Sequence, residues 1–475
     1  MTAPVTRRSF LQALPFGLAA YAQTPNANDI RIEELSTSEE SFLYRTPIKF
    51  GGTEVNKVTL LNVTVTVRNR AGKTAKGFGS MPLGNVWSFP SKTLKYEQTL
   101  SAMQALAQRI AAITRECKDY GHPVELNHHL EPAWLKASVE VDRTLNLGQP
   151  IPKLCILTTA SPFDAALHDA YGKLHGRSVY HCYGREFLRE SIGRYLGKEF
   201  DGLYLDRFVL REPKARMPLY HLVGAVDPIT AADVTRKIGD GLPETLPEWI
   251  AYNGLTHIKI KLNGDNLEWD RDRVLRVDAA CVQEMAKRGT AKWNYSLDFN
   301  EKCPNVEYLL TMLRQIKEKT PAGFDRIQYV EQPTARDLKA NRQNVMHEAS
   351  KLRPVVIDES LTELEALLLS REMGYTGAAL KACKGQAQAL LMAAAAQHFK
   401  MFLCVQDLTC PGASLIHSAG LAAHVPGVAA IEANARQYVP AANRGWEARF
   451  PGIFVVKDGQ MQTGVLNRPG LSAMA

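Results

Sequence analysis

The sequence predicts an α/β fold, a parallel (β/α) barrel with a small α+β domain in front of it, on three observations. Short apolar strands recur at 217–223, 256–262, 294–300, 326–333, 354–360, 377–383, 400–407 and 428–434, with apolar helices such as Gln386–His398 between them. Five of these strands carry a charge at or near their ends: Lys261, Asp298, Glu331, Asp358 and Lys381. The steps between those five are 37, 33, 27 and 23 residues, each about one strand, one helix and their loops. A charge closing each apolar strand at that interval gathers one polar cluster at the C-terminal mouth of a barrel.

The chain opens with an address label. Thr6-Arg7-Arg8-Ser9-Phe10-Leu11-Gln12 resembles the twin-arginine export motif, and an apolar stretch ends in Ala20-Tyr21-Ala22, so a signal peptide is expected over 1–22 and a periplasmic or exported product after it. The apolar run is too short to span a membrane, and no later segment reaches the necessary length. Ile30 to Leu35 and Val58 to Val67 alternate as antiparallel strands joined by the turn-prone Phe50-Gly51-Gly52, and Val67 to Phe78 reads as a hairpin around Asn69-Arg70-Ala71-Gly72. Tyr96 to Cys117 has helical periodicity. Residues 118–150 are polar and proline-rich, contain His128-His129 without further ligands at metal spacing, and read as a surface excursion. These segments make an α+β capping domain over 29–157, completed by 440–475. The barrel is expected over 158–439, entered by a helix through Phe163 to Asp169, with an insertion at 185–215. Near the end, Phe454-Val455-Val456 and Asp458-Gly459 suggest a hairpin returning to the first domain.

Composition excludes several classes. Apolar residues make up 45% and charged residues 22%, as in ordinary soluble globular proteins. The net charge of +8, or +6 without the leader, is scattered rather than clustered, which argues against nucleic-acid binding. A small anionic substrate is compatible with it, and a homo-oligomer stays open. The eight cysteines show neither close pairs nor disulfide-scaffold spacing. Cys155, Cys383 and Cys404 sit in apolar strand patterns as expected buried thiols, with a surface disulfide elsewhere left open.

The strand-end residues suggest the chemistry. Lys259 and Lys261 are two apart in a strand and face one environment, where mutual repulsion and burial are expected to lower their pKa values and fit one to act as a base. Asp298, Glu331 and Asp358 offer oxygen ligands from three successive strands, a set that suits magnesium, with Asn300, Gln332 and Glu359 as supporting partners. Lys381 lies across the barrel from Lys261. Two bases on opposite sides of a metal-bound carboxylate could take an α-proton from one face and return one to the other. Lys384 reads as a solvated helix start and His417 as a core histidine in an apolar helix.

These residues resemble the enolase superfamily, specifically its muconate lactonizing enzyme subgroup, from about Arg31 to Leu471. The motifs are Asp164 to Lys173, Lys259-x-Lys261, Asp298-x-Asn300, Glu331-Gln332-Pro333, Asp358-Glu359-Ser360 and Lys381, with Asp458-Gly459 and Pro469-Gly470-Leu471 in the tail. The resemblance implies a capping domain over a modified (β/α)7β TIM-type barrel. It also implies Mg2+ held by Asp298, Glu331 and Asp358, with Lys261 and Lys381 as the acid/base pair. Two positions depart from the family pattern. Asp407-Leu408 replaces the frequent Glu-Ser, leaving Asp407 a shorter reach to a substrate carboxylate or to proton traffic. Glu432-Ala433-Asn434 replaces the Asp-x-Asp of members that epimerise dipeptides, keeping one negative charge near the substrate. The implied function is racemisation or epimerisation of an amino-acid-like or small carboxylate substrate through an enediolate. The alternatives are a dehydratase or cycloisomerase using one lysine, and a non-catalytic exported carboxylate-binding protein.

Overall fold

The computed structural model describes residues 25–50 and 53–473. The leader expected at 1–22 and Gly51-Gly52 of the expected turn lie outside the described residues.

The first layer is an antiparallel sheet of β1 (Ile30–Phe50), β2 (Thr53–Asn69) and β3 (Thr74–Pro82), in that order. Val63, Val65 and Val67 on β2 are buried at the two-residue period that puts one strand face on a core. Three helices lie on one side of this sheet, Tyr96–Glu116, Pro123–Leu145 and Lys153–Leu174, of which the first and third pack on its strands and the second packs on those two. The third crosses β3 so closely that a Cβ at Gly77 or Gly79 would collide with the carbonyl oxygens of Ala166 and Pro162.

Pro123–Leu145 corrects the expected surface excursion at 118–150. Its buried positions, Leu126, Leu130, Trp134, Ala137 and Val141, recur at helical spacing. The polar residues between them and Pro132 in the helix mask that stripe in the sequence. Pro123 stands in the first turn, where a missing N–H costs nothing, and a capping box of His122 and Glu125 closes the end. His128 and His129 lie on this helix, where His128 packs edge-on against Tyr195 and His129 pairs with Asp119 at 3.0 Å.

Eight parallel strands form the second layer: β4 (Met217–Val223), β5 (His257–Lys261), β6 (Asn294–Asp298), β7 (Ile327–Glu331), β8 (Val355–Ile357), β9 (Gly377–Leu380), β10 (Phe402–Val405) and β11 (Val428–Glu432). Each lies inside its expected span, and pairing of β11 with β4 closes the barrel. Helices separate successive strands, but only short turns follow β11, giving the (β/α)7β plan. Lys153–Leu174, expected to open the barrel, packs on β2 and β3 and also meets the turn Ala382–Lys384, so it joins the two layers. The expected insertion at 185–215 is irregular, yet it buries Phe187, Leu188, Ile192, Phe200 and Leu205.

Strand alternation sets the barrel interior in layers. Tyr220, Tyr329, Val356, Ala379, Cys404 and Ala430 pack together as an apolar floor. Two residues further along their strands, on the same side, stand Glu331, Asp358, Lys381, Gln406 and Glu432. The floor excludes water from beneath, and the charges point toward the cap.

The tail differs from expectation. Lys457 and Gln460 form a bridge, and β12 (Gln460–Met461) pairs antiparallel with β4 of the barrel rather than with the first sheet. The expected return to the first domain is made elsewhere in the tail: Pro440–Asn443 packs on β1, with Ala442 against Val58 and Leu60, and at the last turn Leu471 N donates to Asp169 Oδ1 of the joining helix at 2.8 Å. All eight cysteines are buried free thiols, so the surface disulfide left open by the sequence does not form. Among the described residues, no helix is long and apolar enough to cross a membrane.

Candidate functional site

The register of β5, β6 and β7 places Lys261 beside Asp298 and Asp298 beside Glu331. Lys261 Nζ lies 2.6 Å from Asp298 Oδ2. Lys259 Nζ, two residues deeper, donates to Glu331 Oε1 at 2.9 Å, Gln406 Oε1 at 2.7 Å and Glu432 Oε2 at 2.9 Å, and sits 3.0 Å from Asp298 Oδ2. Across the mouth, Lys381 Nζ is 2.9 Å from Asp358 Oδ2 and donates to the Asp407 carbonyl at 3.2 Å. Every one of these charged residues is at most 5% exposed. Stranding one such charge costs about 3–5 kcal/mol, so the cluster is stable only as a mutually neutralising set.

Lys384 is also part of the set, against expectation. It is buried, and its Nζ donates to the Asp358 carbonyl at 2.5 Å and to Oδ1 at 3.2 Å. A 3-10 turn over Ala382–Lys384 returns it to the side of Lys381, since that helix repeats every three residues.

The lowering expected for Lys259 does not hold. Burial lowers the Lys259 pKa, but Asp298, Glu331 and Glu432 raise it further, and the net shift is well upward. Lys381 is raised in the same way, burial being outweighed chiefly by Asp358. At Lys384 burial prevails and the shift is downward. Burial pushes the carboxyl of Asp358 up, but Lys381 and Lys384 hold it at about 2. Asp298 is likewise drawn below the usual range by Lys259 and Lys261 against burial. Glu331 goes the other way: burial, then Asp298 and Asp358 on either side, raise it well above.

The supporting residues have structural work of their own. Gln332, at a left-handed φ of 29°, accepts at Oε1 from Asp358 N at 3.0 Å and Ser360 N at 3.4 Å, fixing the end of β8. Asn300 N donates to Asp298 Oδ1 at 2.8 Å. Asp407 spends both carboxylate oxygens on backbone N–H groups, those of Leu408 at 2.6 Å, Cys410 at 2.7 Å and Asn434 at 2.6 Å. Burial, then Glu432, raises it to about 6. Glu432 is divided between Lys259 and the Asn434 amide, which is 2.6 Å away.

The cap contributes residues that the sequence did not single out. Trp87, in the turn after β3, donates its indole N–H to Glu359 Oε1 at 3.0 Å, and its ring lies 4.3 Å from Lys381 Nζ. Phe50, at the end of β1, lies 5.6 Å from Lys261 Nζ. An aromatic residue of the cap thus covers each of the two lysines. His417 is buried in Ala413–His424 with both ring nitrogens unpartnered, outside the cluster.

Asp298, Glu331 and Asp358 are hard oxygen donors on three adjacent strands, and Glu331 Oε2 and Asp358 Oδ2 are buried with a lysine ammonium, of Lys259 and Lys381 respectively, 2.9 Å away. That donor set suits a hard divalent cation. In this conformation the lysines close on the carboxylates, and among the described residues no three His, Cys, Asp or Glu side chains form a ready-made metal group.

Residues 242–474 match the family model described as enolase C-terminal domain-like. No curated protein matches the chain. Among solved structures, muconate lactonizing enzyme from Pseudomonas fluorescens, complexed with muconolactone, aligns with a TM-score of 0.58 at 16% identity, over 94% of this chain and 96% of that one. A dipeptide epimerase from Enterococcus faecalis V583, complexed with Mg and the dipeptide L-Leu-L-Tyr, aligns at 0.59 and 13% identity, over 93% and 99%. An N-succinyl Arg/Lys racemase from Bacillus cereus ATCC 14579 aligns at 0.59 and 15% identity, over 93% and 94%. At such identities these are likenesses of fold.

Proposed function

Because this chain belongs to the enolase superfamily, in the muconate lactonizing enzyme and mandelate racemase subgroup, we propose that it racemises or epimerises a small chiral carboxylate by moving its α-proton between Lys261 and Lys381. One observation carries the reading: the two lysines stand on strands separated by the three carboxylate-bearing strands, each paired with the carboxylate next to it. In one direction Lys261 takes the proton from one face of Cα and Lys381 returns one to the other; the opposite enantiomer reverses the roles. Asp298, Glu331 and Asp358 would hold magnesium, which when bound supplies positive charge to stabilise the enediolate. Lys259 balances the buried acids, and the apolar floor keeps water from the enediolate.

The substrate arm is uncharged in this reading. Glu432, the acid of the last strand, has one oxygen on Lys259, which it shares with Asp298 and Glu331, and the other on the Asn434 amide, so both are engaged within the protein. Tyr44, Phe50, Val55, Val86, Trp87 and Leu408 line a narrow, mainly apolar cleft within the cap, with Lys57, Thr59 and Asn85 as its polar members.

The test is a library of chiral carboxylates with neutral, cationic and anionic arms, incubated with protein and magnesium in deuterated water. Deuterium at Cα with inversion, strongest for neutral arms, is the expected result. Loss of water or ring formation would assign the site to a one-base lyase, and binding without exchange would make it a carboxylate-binding protein.

A further inference from the structure

On the outer side of β4 lies a cleft of about 300 Å³, between the long connection after that strand (224–245), the start of Leu246–Asn253, the short helix Ala435–Tyr438 and residues 45–47 of the cap hairpin. We propose that it is a second small-molecule site, taking a primary ammonium group carried on a small apolar body. Its size falls at the lower end for small-molecule pockets. His221 reaches it because it alternates along β4 with Tyr220 of the barrel floor. None of the clustered lysines and acids of the mouth lines it, and on its barrel side Leu222 and Tyr438 pack with Ile48 and Val55 of the cap hairpin.

Three lining side chains hold unused acceptors. Asp227 Oδ2 takes the N–H of Gly224 at 2.8 Å and the Tyr438 hydroxyl, whereas Oδ1 has no partner among the described residues. Gln437 Nε2 donates to the Leu222 carbonyl at 2.9 Å, leaving Oε1 without a donor. His221 meets Trp249 ring to ring at 5.2 Å and makes no hydrogen bond with either nitrogen. His221 is 4% and Gln437 6% exposed, yet these atoms are not closed off as the nitrogens of His417 are, and the cleft they line is where they open. Buried polar groups are seldom left unpaired, so an occupant with several donors completes the set.

The charges select the donor. Asp227 forms no ion pair among the described residues: Arg273 donates to the Gly224 carbonyl instead, Arg45 is bound to Asp240, and Asp233 is bound to Arg276. Burial raises the Asp227 carboxyl above its ordinary value despite the bonds to Oδ2. Burial, then Arg436, lowers His221 to about 3, so the imidazole is neutral and keeps an acceptor nitrogen. One under-compensated acid and two neutral acceptors complement an ammonium with three N–H donors. Val223, Val226, Leu246 and Trp249 face its apolar body, and Arg236, exposed in the wall, opposes a second positive charge. The site thus takes the opposite charge to the carboxylates proposed for the mouth, and it does not depend on the reaction of the lysines.

The probe is 2-phenylethylamine, protonated at neutral pH, titrated by calorimetry into the full-length protein beside 2-phenylethanol, which keeps the body and lacks the charge. The amine should bind about tenfold more tightly than the alcohol, since a charged donor makes the stronger hydrogen bonds. Asp227→Asn keeps an oxygen for Gly224 and Tyr438 but removes the charge; it should weaken the amine about tenfold and leave the alcohol within about twofold. Val226→Trp, at a position 42% exposed, should fill the cleft and weaken both. Excess 3-phenylpropionate with magnesium should not displace the amine. The proposal is overturned if the amine does not bind or binds no better than the alcohol, if a folded Asp227→Asn holds it as tightly, or if the carboxylate displaces it. Should Asp227→Asn fail to fold, Val226→Trp decides, because it leaves every polar group of the cleft in place: an unchanged affinity for the amine then overturns the assignment.

Discussion

Trp87 donates its indole N–H to Glu359 Oε1 at 3.0 Å while its ring lies 4.3 Å from Lys381 Nζ. One cap residue therefore fixes a buried acid and roofs a lysine of the site. Replacing Trp87 with Phe keeps an aromatic roof but removes the donor, leaving a buried carboxyl short of a partner at a cost of about 1–3 kcal/mol. Turnover of the substrate found in the library should fall about tenfold, with the melting temperature shifted by only a few degrees. Steady-state kinetics of Trp87→Phe beside Trp87→Ala check this; equal activity of all three forms would remove Trp87 from the site.

Asp298 is the carboxylate shared by Lys259 and Lys261. If it also holds magnesium, the ion should raise the melting temperature of the wild type, since a ligand that binds only the folded state stabilises it. Asp298→Asn should lose that rise and its turnover together while keeping a folded far-UV spectrum. Activity that survives exhaustive chelation would refute the metal assignment.

His417 provides a pH test remote from the site. Burial, then Lys173, lowers its pKa from the model-compound 6.5 to about 3 in the folded protein. Between these values the unfolded chain binds the proton and the folded chain does not, so stability is full above about 6.5 and declines as pH falls toward 3. At pH 5 the loss from this one group is about 2 kcal/mol. His417→Leu should melt higher than the wild type at pH 5 and show a flatter pH dependence. A steeper dependence in the variant would show that the ring gains a proton on folding.

The strands of the barrel were legible because each is a short apolar run and most end in or beside a charge, and both signals survive in sequence at Lys261, Asp298 and Glu331. The helix Pro123–Leu145 was not, because its apolar stripe is narrow and interrupted by Pro132. Lys384 could have been found from its three-residue step after Lys381, but a turn after an apolar strand is usually solvated, and here the joining helix, Gln386–His398 and Ala413–His424 all pack on it. Trp87 carried no local signal, since its partner Glu359 is 272 residues away. The expectation for Lys259 failed because it weighed one lysine against another and omitted the three surrounding acids, each within 3.0 Å.

For the leader, we propose export by the twin-arginine route on the strength of Arg7-Arg8 ahead of Phe10-Leu11. Arg7→Lys with Arg8→Lys should leave an uncleaved precursor in the cytoplasm of the expressing cell. Cell fractionation with an antibody to the mature chain reads the outcome, and normal export of the double variant would reject the motif.

Lys261 and Lys381 offer the sharpest test of the reaction. Their strands flank β6, β7 and β8, so a substrate bound over the carboxylates presents opposite faces to them. In a two-base racemisation each lysine serves one enantiomer. Lys261→Ala should abolish deuterium exchange from one enantiomer while sparing some exchange from the other, and Lys381→Ala should show the reverse. Losing a positioned base costs about 10²–10⁴-fold, well within reach of a mass-resolved exchange assay. Each substitution also takes one of two lysines from a buried carboxylate, Asp298 or Asp358, so lost stability must be separated from lost chemistry. The enantiomer-specific pattern makes that separation, because a protein damaged as a whole loses both exchanges together. An elimination behaves differently: one lysine is indispensable for either enantiomer and the other acts mainly through its charge. Complete loss of both exchanges in only one well-folded variant would therefore replace the two-base assignment with a single-base lyase.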